Sequence, residues 1–391
     1  SNGLEKYPKL RFPGFDEPYM ECRIGDIYSE RSQRGADDME LLSVTLNDGV
    51  MPRSEIEGKD NSSEDKSNYK VVCKGDMVYN SMRMWQGANG VSDYDGIVSP
   101  AYTVLMPNKE IDNRYFASLF KTPNLINEFR KYSQGLTSDT WNLKYPQIRS
   151  IRLYIPSLQE QHKISVFIST LEERIGIQRQ LVDSLKKYKR GLLHEILCEK
   201  IKVTKSVWNV HKIGDYLNSK NIKQLPTPDA PLMAFTATGG VCDKGERYDR
   251  GFLVKDASTK LYKRTDLNDF IYSSNNLDVG SIGLNLYGSA VISDVYEIFS
   301  ISGADPWFIS EAIQQKSVLH QILKYRQGCL YGQYRIYAED FLEVSIRVPP
   351  LETQKQIGTI FSRIEYKIKS EQALLDNLER AKTFFLQQLF I

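Results

Sequence analysis

The chain has 391 residues, of which 41% are hydrophobic and 26% are charged, and its formal net charge at pH 7 is +2. Its length predicts two or three domains, and this composition excludes a disordered or fibrous protein. A net charge so close to zero does not by itself favour a nucleic-acid partner, since such binders often have a strongly basic balance.

Hydrophobic segments and cysteines further limit the class of protein. The sequence has no run of eighteen apolar residues, and its first ten residues, SNGLEKYPKL, lack the apolar core of a signal peptide. We therefore expect neither a membrane span nor secretion, and predict a cytoplasmic protein. Five cysteines without close spacing and four histidines without metal-pair spacing predict reduced thiols and no metal site.

The first globular stretch runs from about Tyr19 to Tyr154. It contains the β-type runs YKVVCKGDMVYNS from Tyr69 and GIVSPAYTVLMP from Gly96, bounded by glycine and asparagine, and a helical segment at 114–132. This mixture predicts an α/β (α+β) domain, which we assign to residues 1–154.

A very long helix follows in residues 155–200. No proline occurs from Leu158 to Cys198, and apolar residues recur in steps of four and three, the pattern of a coiled-coil seam. Two polar residues, Gln178 and Lys189, interrupt this seam. Its apolar members are Ile164, Ile168, Leu171, Ile175, Val182, Leu185, Leu192 and Ile196.

A second globular stretch and a second long helix repeat this order. Residues 201–347 contain the strand-like runs DFIYSS and SAVISDVYEIFSI and a helical segment at 307–325, and residues 348–391 form the second predicted helix. IPSLQEQHKI at Ile155 returns as VPPLETQKQI at Val348, 193 positions later, and KYSQG at Lys131 returns as KYRQG at Lys324. The chain is therefore a two-fold duplication. The second seam comprises Ile357, Phe361, Ile364, Ile368, Leu375, Leu378, Phe385 and Leu389, with Glu371 and Lys382 at the polar positions.

Neither helix can bury its seam alone. We predict that the two helices pair antiparallel as a coiled coil with a pseudo-two-fold axis, separating two similar globular domains. In that pairing Lys189 lies near Glu371, and Lys382 lies near Gln178. The alternative is that each helix packs only on its own domain.

Two loop regions in each copy carry side chains suited to reading DNA bases. Arginine matches guanine, and asparagine or glutamine matches adenine, at the major-groove edge. Each residue alone is more simply explained as a turn or capping residue, and only the duplicated placement favours binding. The candidates in the first copy are Asn80, Ser81, Arg83, Trp85, Gln86, Ser138, Thr140, Trp141 and Asn142; those in the second are Ser273, Ser274, Asn275, Asn276, Gln333, Tyr334 and Arg335.

The segments PKLRFPGF, GDMVYNSMRMWQGA and GIVSPAYTVL, together with the repeated helix starts, resemble the DNA-specificity subunit of type I restriction-modification systems over essentially the whole chain. The second helix start departs from the first, with Thr353 in place of Glu160. The resemblance implies two target-recognition domains, each reading one half of a split, asymmetric sequence in double-stranded DNA. It also implies spacer helices on which two methyltransferase subunits dock, with two restriction (motor) subunits joining for cleavage. The candidate coiled-coil and docking residues are Ile164, Ile168, Leu171, Ile175, Lys189, Ile357, Phe361, Ile364, Ile368 and Glu371.

Catalytic motifs are missing from the sequence. It has no Asp/Asn-Pro-Pro-aromatic string, Gly-x-Ser-x-Gly elbow or zinc-ligand spacing. We therefore expect no enzyme activity, no catalytic or metal-binding residues and no cofactor in this chain. S-adenosylmethionine, ATP and Mg²⁺ are expected only in the partner subunits. The competing interpretation is a protein scaffold without a DNA function, whose duplicated domains bind other proteins.

Overall fold

The computed structural model describes residues 7–34, 39–46, 49–58, 62–137, 140–237, 239–243, 260–275, 277, 281–330 and 333–391. The chain divides into two compact units, one comprising Ser1–Gln180 with Ala373–Ile391 and the other comprising Leu181–Gln372. Each of the two long helices contributes one part to each unit.

The first unit is built around an antiparallel sheet of order β2-β9-β6-β7, with β1 paired to β10, β3 to β4 and β5 to β8. Its main core includes Tyr28, Phe116 and Phe129. The strands are β1 Met20–Arg23, β2 Tyr28–Glu30, β3 Leu42–Thr45, β4 Gly49–Pro52, β5 Lys70–Val72, β6 Met77–Asn80, β7 Asn89–Val91, β8 Gly96–Val98, β9 Tyr102–Pro107 and β10 Arg152–Ile155. The helices are α1 Ile24–Ile27, α2 Asn113–Leu119, α3 Pro123–Tyr132, α4 Tyr145–Ile148 and the first part of α5 Leu158–Leu197.

The second unit repeats this plan, with a sheet of order β12-β20-β17-β18 and the pair β11-β23. Strand β13 joins β16 and β19 in a further sheet, and β14-β15 and β21-β22 form pairs. The strands are β11 Asn209–Lys212, β12 Leu217–Ser219, β13 Lys223–Gln224, β14 Ala234–Thr236, β15 Gly240–Cys242, β16 Tyr262–Thr265, β17 Phe270–Ser273, β18 Ile282–Leu284, β19 Ala290–Ile292, β20 Tyr296–Ile301, β21 Gln327–Leu330, β22 Gln333–Arg335 and β23 Ser345–Val348. The helices are α6 Pro306–Ile313, α7 Lys316–Ile322, α8 Ala338–Leu342 and α9 Leu351–Gln388.

Within each unit, α5 and α9 run antiparallel, as predicted. In the first unit Arg179 binds Glu379 at 2.8 Å and Phe167 packs edge-on against Phe385. In the second unit Lys186 Nζ donates to Gln372 Oε1 at 3.2 Å. Every apolar residue of the two predicted seams is buried or half-buried, so the periodicity identified the packing face of both helices.

The seam lysines bind carboxylates other than the residues predicted to lie near them. Lys189 binds Glu365 at 2.9 Å, and Lys382 binds Glu172 at 2.6 Å. Both carboxylates lie six positions before the predicted partners, Glu371 and Gln178. Glu371 instead forms an ion pair with Lys367 in its own helix.

The register depends on where the helix ends are seated. Ile196 and Leu197 lie in the core of the second unit, and Leu389 and Phe390 lie in the core of the first. Seam periodicity defines which face of a helix is buried, but it does not define how far one helix slides along the other.

Candidate nucleic-acid interface

A buried glutamine at each repeated helix start ties the helix to its domain. Gln161 Nε2 donates to the Pro156 carbonyl at 3.0 Å, and its Oε1 accepts from the Asp112 amide at 3.2 Å. In the second unit Gln354 makes the matching bonds, at 2.9 Å to the Pro349 carbonyl and at 3.0 Å from the Asp305 amide. The repeated glutamine therefore forms the same bridge twice.

Asp112 and Asp305 make this bridge structurally important because they are the N-caps of α2 and α6. Their carboxylates accept from the amides of Tyr115 and Phe308. Each glutamine thus positions the first turn of a domain helix relative to a long helix.

Glu160 and Thr353 occupy the position at which the two helix starts differ. Both are buried, and their hydrogen-bond partners stand at equivalent positions of the two copies. Glu160 accepts two hydrogen bonds from Arg11, at 2.8 and 2.7 Å. In the second unit Thr353 Oγ1 lies 3.0 Å from Thr204 Oγ1. Arg11 and Thr204 are also 193 positions apart, so the ion pair of one copy corresponds to a hydroxyl pair in the other.

The two candidate loop regions of the first unit lie together. The Leu143 amide donates to the Ser81 carbonyl at 2.8 Å, joining the segment after α3 to the end of β6. Trp85 packs edge-on against Trp141, with ring centroids 5.4 Å apart, and the Arg130 guanidinium lies 5.7 Å above the Trp85 ring.

The side chains of this region divide into an inner and an outer set. Ser81 is buried and bonded to Thr103 at 2.8 Å, so it belongs to the frame. Asn80 Oδ1 accepts from the Met82 amide at 3.0 Å and shapes the turn. We define the first patch by its surface residues, which are Arg83, Trp85, Gln86, Arg130, Thr140, Trp141 and Asn142.

The second unit brings its candidate regions together by the same bond. The Ile336 amide donates to the Ser274 carbonyl at 2.9 Å, and both residues lie 193 positions after Leu143 and Ser81. Ser274 is likewise buried, and its hydroxyl donates to the Val295 carbonyl. Asn275 forms an antiparallel bridge with Arg335.

The exposed side chains around this second frame are different. Arg335 lies 5.0 Å from the Tyr337 ring centroid and makes an ion pair with Glu297 at 3.4 Å. Arg326 lies 5.5 Å from the Tyr334 ring centroid. We define the second patch by residues Ser273, Asn275, Arg326, Tyr334, Arg335 and Tyr337.

Some candidates are outside the described part of the structure, and some patch residues were not among the candidates. Ser138 and Asn276 lie outside the described residues; Gln333 belongs to β22, and its side chain is not described. Arg130, Arg326 and Tyr337 were not among the candidates. The repeated KYSQG and KYRQG segments mark this region in the sequence, since Arg130 directly precedes the first segment and Arg326 is the third residue of the second.

The candidate docking residues of the helices lie mainly in the interior. Ile164, Ile168, Ile357 and Phe361 belong to the two cores, and Ile175 and Ile368 are also buried. Leu171, Ile364, Lys189 and Glu371 are half-buried. Exposed apolar side chains on these helices include Ile177, Leu181, Tyr188, Tyr366, Leu374 and Phe384.

Within the described residues, no group of three or more histidine, cysteine, aspartate or glutamate side chains is arranged to hold a metal ion. No helix in the described part of the chain has the length and hydrophobicity needed to cross a membrane.

The family model of the type I restriction modification DNA specificity domain matches the chain twice, at residues 17–187 and 206–380. The chain belongs to this family. It is a DNA-specificity subunit with two specificity domains, and it is not itself an enzyme; in type I systems the catalytic activities belong to other subunits.

Individual relatives agree with this assignment. The chain is 22% identical over 354 residues to the putative type I restriction enzyme MjaX specificity subunit of Methanocaldococcus jannaschii, covering 83% of this chain and 79% of the relative. It is 27% identical over 129 residues to the HindI specificity subunit of Haemophilus influenzae, covering 32% and 28%. The crystal structure of the S subunit from M. genitalium shares the fold at a TM-score of 0.66 and 14% identity, covering 98% of this chain and 99% of that one.

Proposed function

We propose that this specificity subunit reads a two-part, asymmetric DNA sequence, with one half contacted by each patch. The domains are assigned to residues 1–154 and 201–347, and the spacer helices to residues 155–200 and 348–391. The chain directs two methyltransferase subunits and two restriction subunits to that sequence. S-adenosylmethionine, ATP and Mg²⁺ are bound by those partners.

One observation carries this proposal: an identical hydrogen-bonded frame presents different side chains in the two units. The Ser81–Leu143 and Ser274–Ile336 hydrogen bonds are equivalent. Arg83 and Gln86 lie beside the first of them, whereas Arg335 lies beside the second. Cationic and amide side chains of this kind contact base edges and phosphates. Because the two sets differ, the two halves of the target are expected to differ.

Methylome sequencing tests the proposal. A host expressing this chain with its cognate methyltransferase is expected to methylate a two-part motif. Arg83→Ala and Gln86→Ala are expected to relax the first half only, and Arg335→Ala the second half only, with each lost base contact weakening discrimination by about 1–3 kcal/mol.

Arg363→Ala is the matched control, because Arg363 is an exposed arginine of α9 outside both patches. It is expected to leave the motif unchanged. If both halves relaxed together in Arg335→Ala, or if the unsubstituted chain directed its methyltransferase to no two-part motif, the proposal would be refuted. A chain that bound proteins but not DNA would support the scaffold interpretation instead.

A further inference from the structure

Lys189 forms a three-membered ionic cluster in the second unit. Its Nζ lies 2.7 Å from Glu311 Oε1 and 2.9 Å from Glu365 Oε2. The exposed fractions of the three side chains are 19%, 11% and 25% for Lys189, Glu311 and Glu365. The three residues come from three helices: Lys189 from α5, Glu311 from the domain helix α6, and Glu365 from α9.

Such a cluster is a poor source of stability compared with apolar packing, because burying charges removes them from water. Burial lowers the pKa of Lys189, but Glu311 and Glu365 more than offset this, so its pKa lies above the usual value. The lysine is therefore held charged in a seam that is otherwise largely apolar. Buried polar groups of this kind specify geometry at some cost in stability.

The cluster and the glutamine bridge hold α6 at two points. At its N-terminus, the Asp305 amide donates to Gln354 at the start of α9. Near its C-terminal end, Glu311 binds Lys189 of α5. These two polar contacts are directional and add to the apolar packing of α6, whose Phe308 and Ile313 are fully buried in the second core.

The first unit anchors its equivalent helix differently. Ser118 stands 193 positions before Glu311, and its hydroxyl donates to the Arg114 carbonyl within α2. Lys382, the equivalent of Lys189, binds Glu172 of α5. The polar anchors of α2 gather at its N-terminus instead: Asp112 accepts from Ser165 at 2.7 Å and lies 3.0 Å from the His162 ring nitrogen.

We propose that Glu311, through Lys189, is a positioning residue that fixes the second recognition domain on the helix pair and thereby fixes the separation at which the second half-site is read. This inference rests on the proposed two-part target. Glu365 has a different role, since it joins Lys189 only to the other long helix. Removing Glu311 removes the ion pair between α6 and α5, whereas removing Glu365 leaves that ion pair intact.

Glu311→Gln and Glu365→Gln form a matched pair for the test. Each change is isosteric, removes one carboxylate from the same lysine, and leaves the other carboxylate to bind it. Each variant is assembled with the cognate methyltransferase subunits. Methylation rates are then measured on duplexes whose half-sites have the native separation, one base pair fewer, or one base pair more.

The preference is the ratio of the methylation rate on the native duplex to the rate on the altered duplexes. We expect Glu311→Gln to lower this ratio by about tenfold, in line with the loss of one charge-assisted hydrogen bond. Glu365→Gln is expected to keep the preference of the unsubstituted chain. Equal losses of rate on all three duplexes in Glu311→Gln would overturn the positioning role, because a merely structural defect lowers all rates alike. Equal relaxation in both variants would overturn it as well.

The failure of this inference is distinguishable from the failure of the proposed function. If the complex assembled with the unsubstituted chain methylates a two-part motif with a defined separation, the proposed function stands whatever the result for Glu311→Gln. If the unsubstituted chain has no preferred separation, the proposed function itself fails.

Discussion

Replacing Gln354 by methionine removes both hydrogen bonds of the buried bridge while keeping a side chain of similar length. Gln354 is 2% exposed, so water cannot take over the roles of its amide. The substitution leaves the Pro349 carbonyl and the Asp305 amide without their partner. Each unsatisfied buried group costs about 1–3 kcal/mol.

Burying the apolar methionine offsets part of this loss, and we expect a net destabilisation of about 3 kcal/mol for the second unit. For a unit of this size the midpoint of thermal unfolding then falls by about 6–12 °C. Calorimetry of the full chain measures the shift, and hydrogen exchange at the Asp305 amide reports the broken bond directly.

Two further variants make the measurement decisive. Gln161→Met breaks the equivalent bridge, so it is expected to destabilise the first unit by a similar amount. Gln356 is exposed two positions after Gln354, and Gln356→Met is expected to change stability by less than about 0.5 kcal/mol. A loss below about 1 kcal/mol in Gln354→Met, or unchanged exchange at Asp305, would refute the assignment of the repeated glutamine as a bridge.

Three further predictions concern charge and burial. Glu160→Thr leaves the Arg11 guanidinium without its carboxylate and is expected to lower the free energy of unfolding by about 3 kcal/mol. The double variant Arg11→Thr/Glu160→Thr copies the hydroxyl pair of the second unit and is expected to recover at least half of this loss in denaturant titrations. No recovery would contradict the coupling between Arg11 and Glu160. Burial raises the pKa of Cys22 to about 11, so iodoacetamide at pH 8 is expected to alkylate the exposed Cys198 first, and equal rates by peptide mass spectrometry would contradict this. Burial opposes ionisation of Asp266, but hydrogen bonds from neighbouring cations hold its pKa well below the usual value. The stability that this carboxylate contributes is therefore present above about pH 4 and is lost as the pH falls. Asp266→Asn is expected to make the free energy of unfolding less dependent on pH in the acid range, and parallel profiles of the two proteins would contradict this.

Periodicity in the sequence was sufficient to predict the two long helices and their buried faces. Seam positions such as Ile168 and Phe361 are fully buried, because repeated apolar spacing on a helix leaves one face that must be covered. The register was not predictable from the seam. It depends on the seating of Leu197 and Phe390 in the cores, which is a property of the folded domains.

The candidate patches were predictable in position and less so in detail. Duplication marked both loop regions, and the frame bonds of Ser81 and Ser274 bring each pair of regions together. Which side chains face outward could not be read from the sequence, because the sequence does not distinguish a serine buried at the end of a strand from a serine that faces solvent. Arg130 and Arg326 were missed because their contacts with Trp85 and Tyr334 depend on how the loops fold and leave no pattern in the sequence.

Duplication preserved the bridge but redistributed the other anchors, and this limits how freely the domains can be exchanged. Ser165, which binds the N-cap Asp112 in the first unit, has Gly358 as its equivalent in the second. A Cβ atom at Gly358 would lie 2.0 Å from the Asp305 carboxylate, so the second helix start cannot accept that serine without movement. Each recognition domain is therefore matched to the start of the long helix that follows it. A domain transferred to the other position is expected to keep its orientation only if its own helix start is transferred with it.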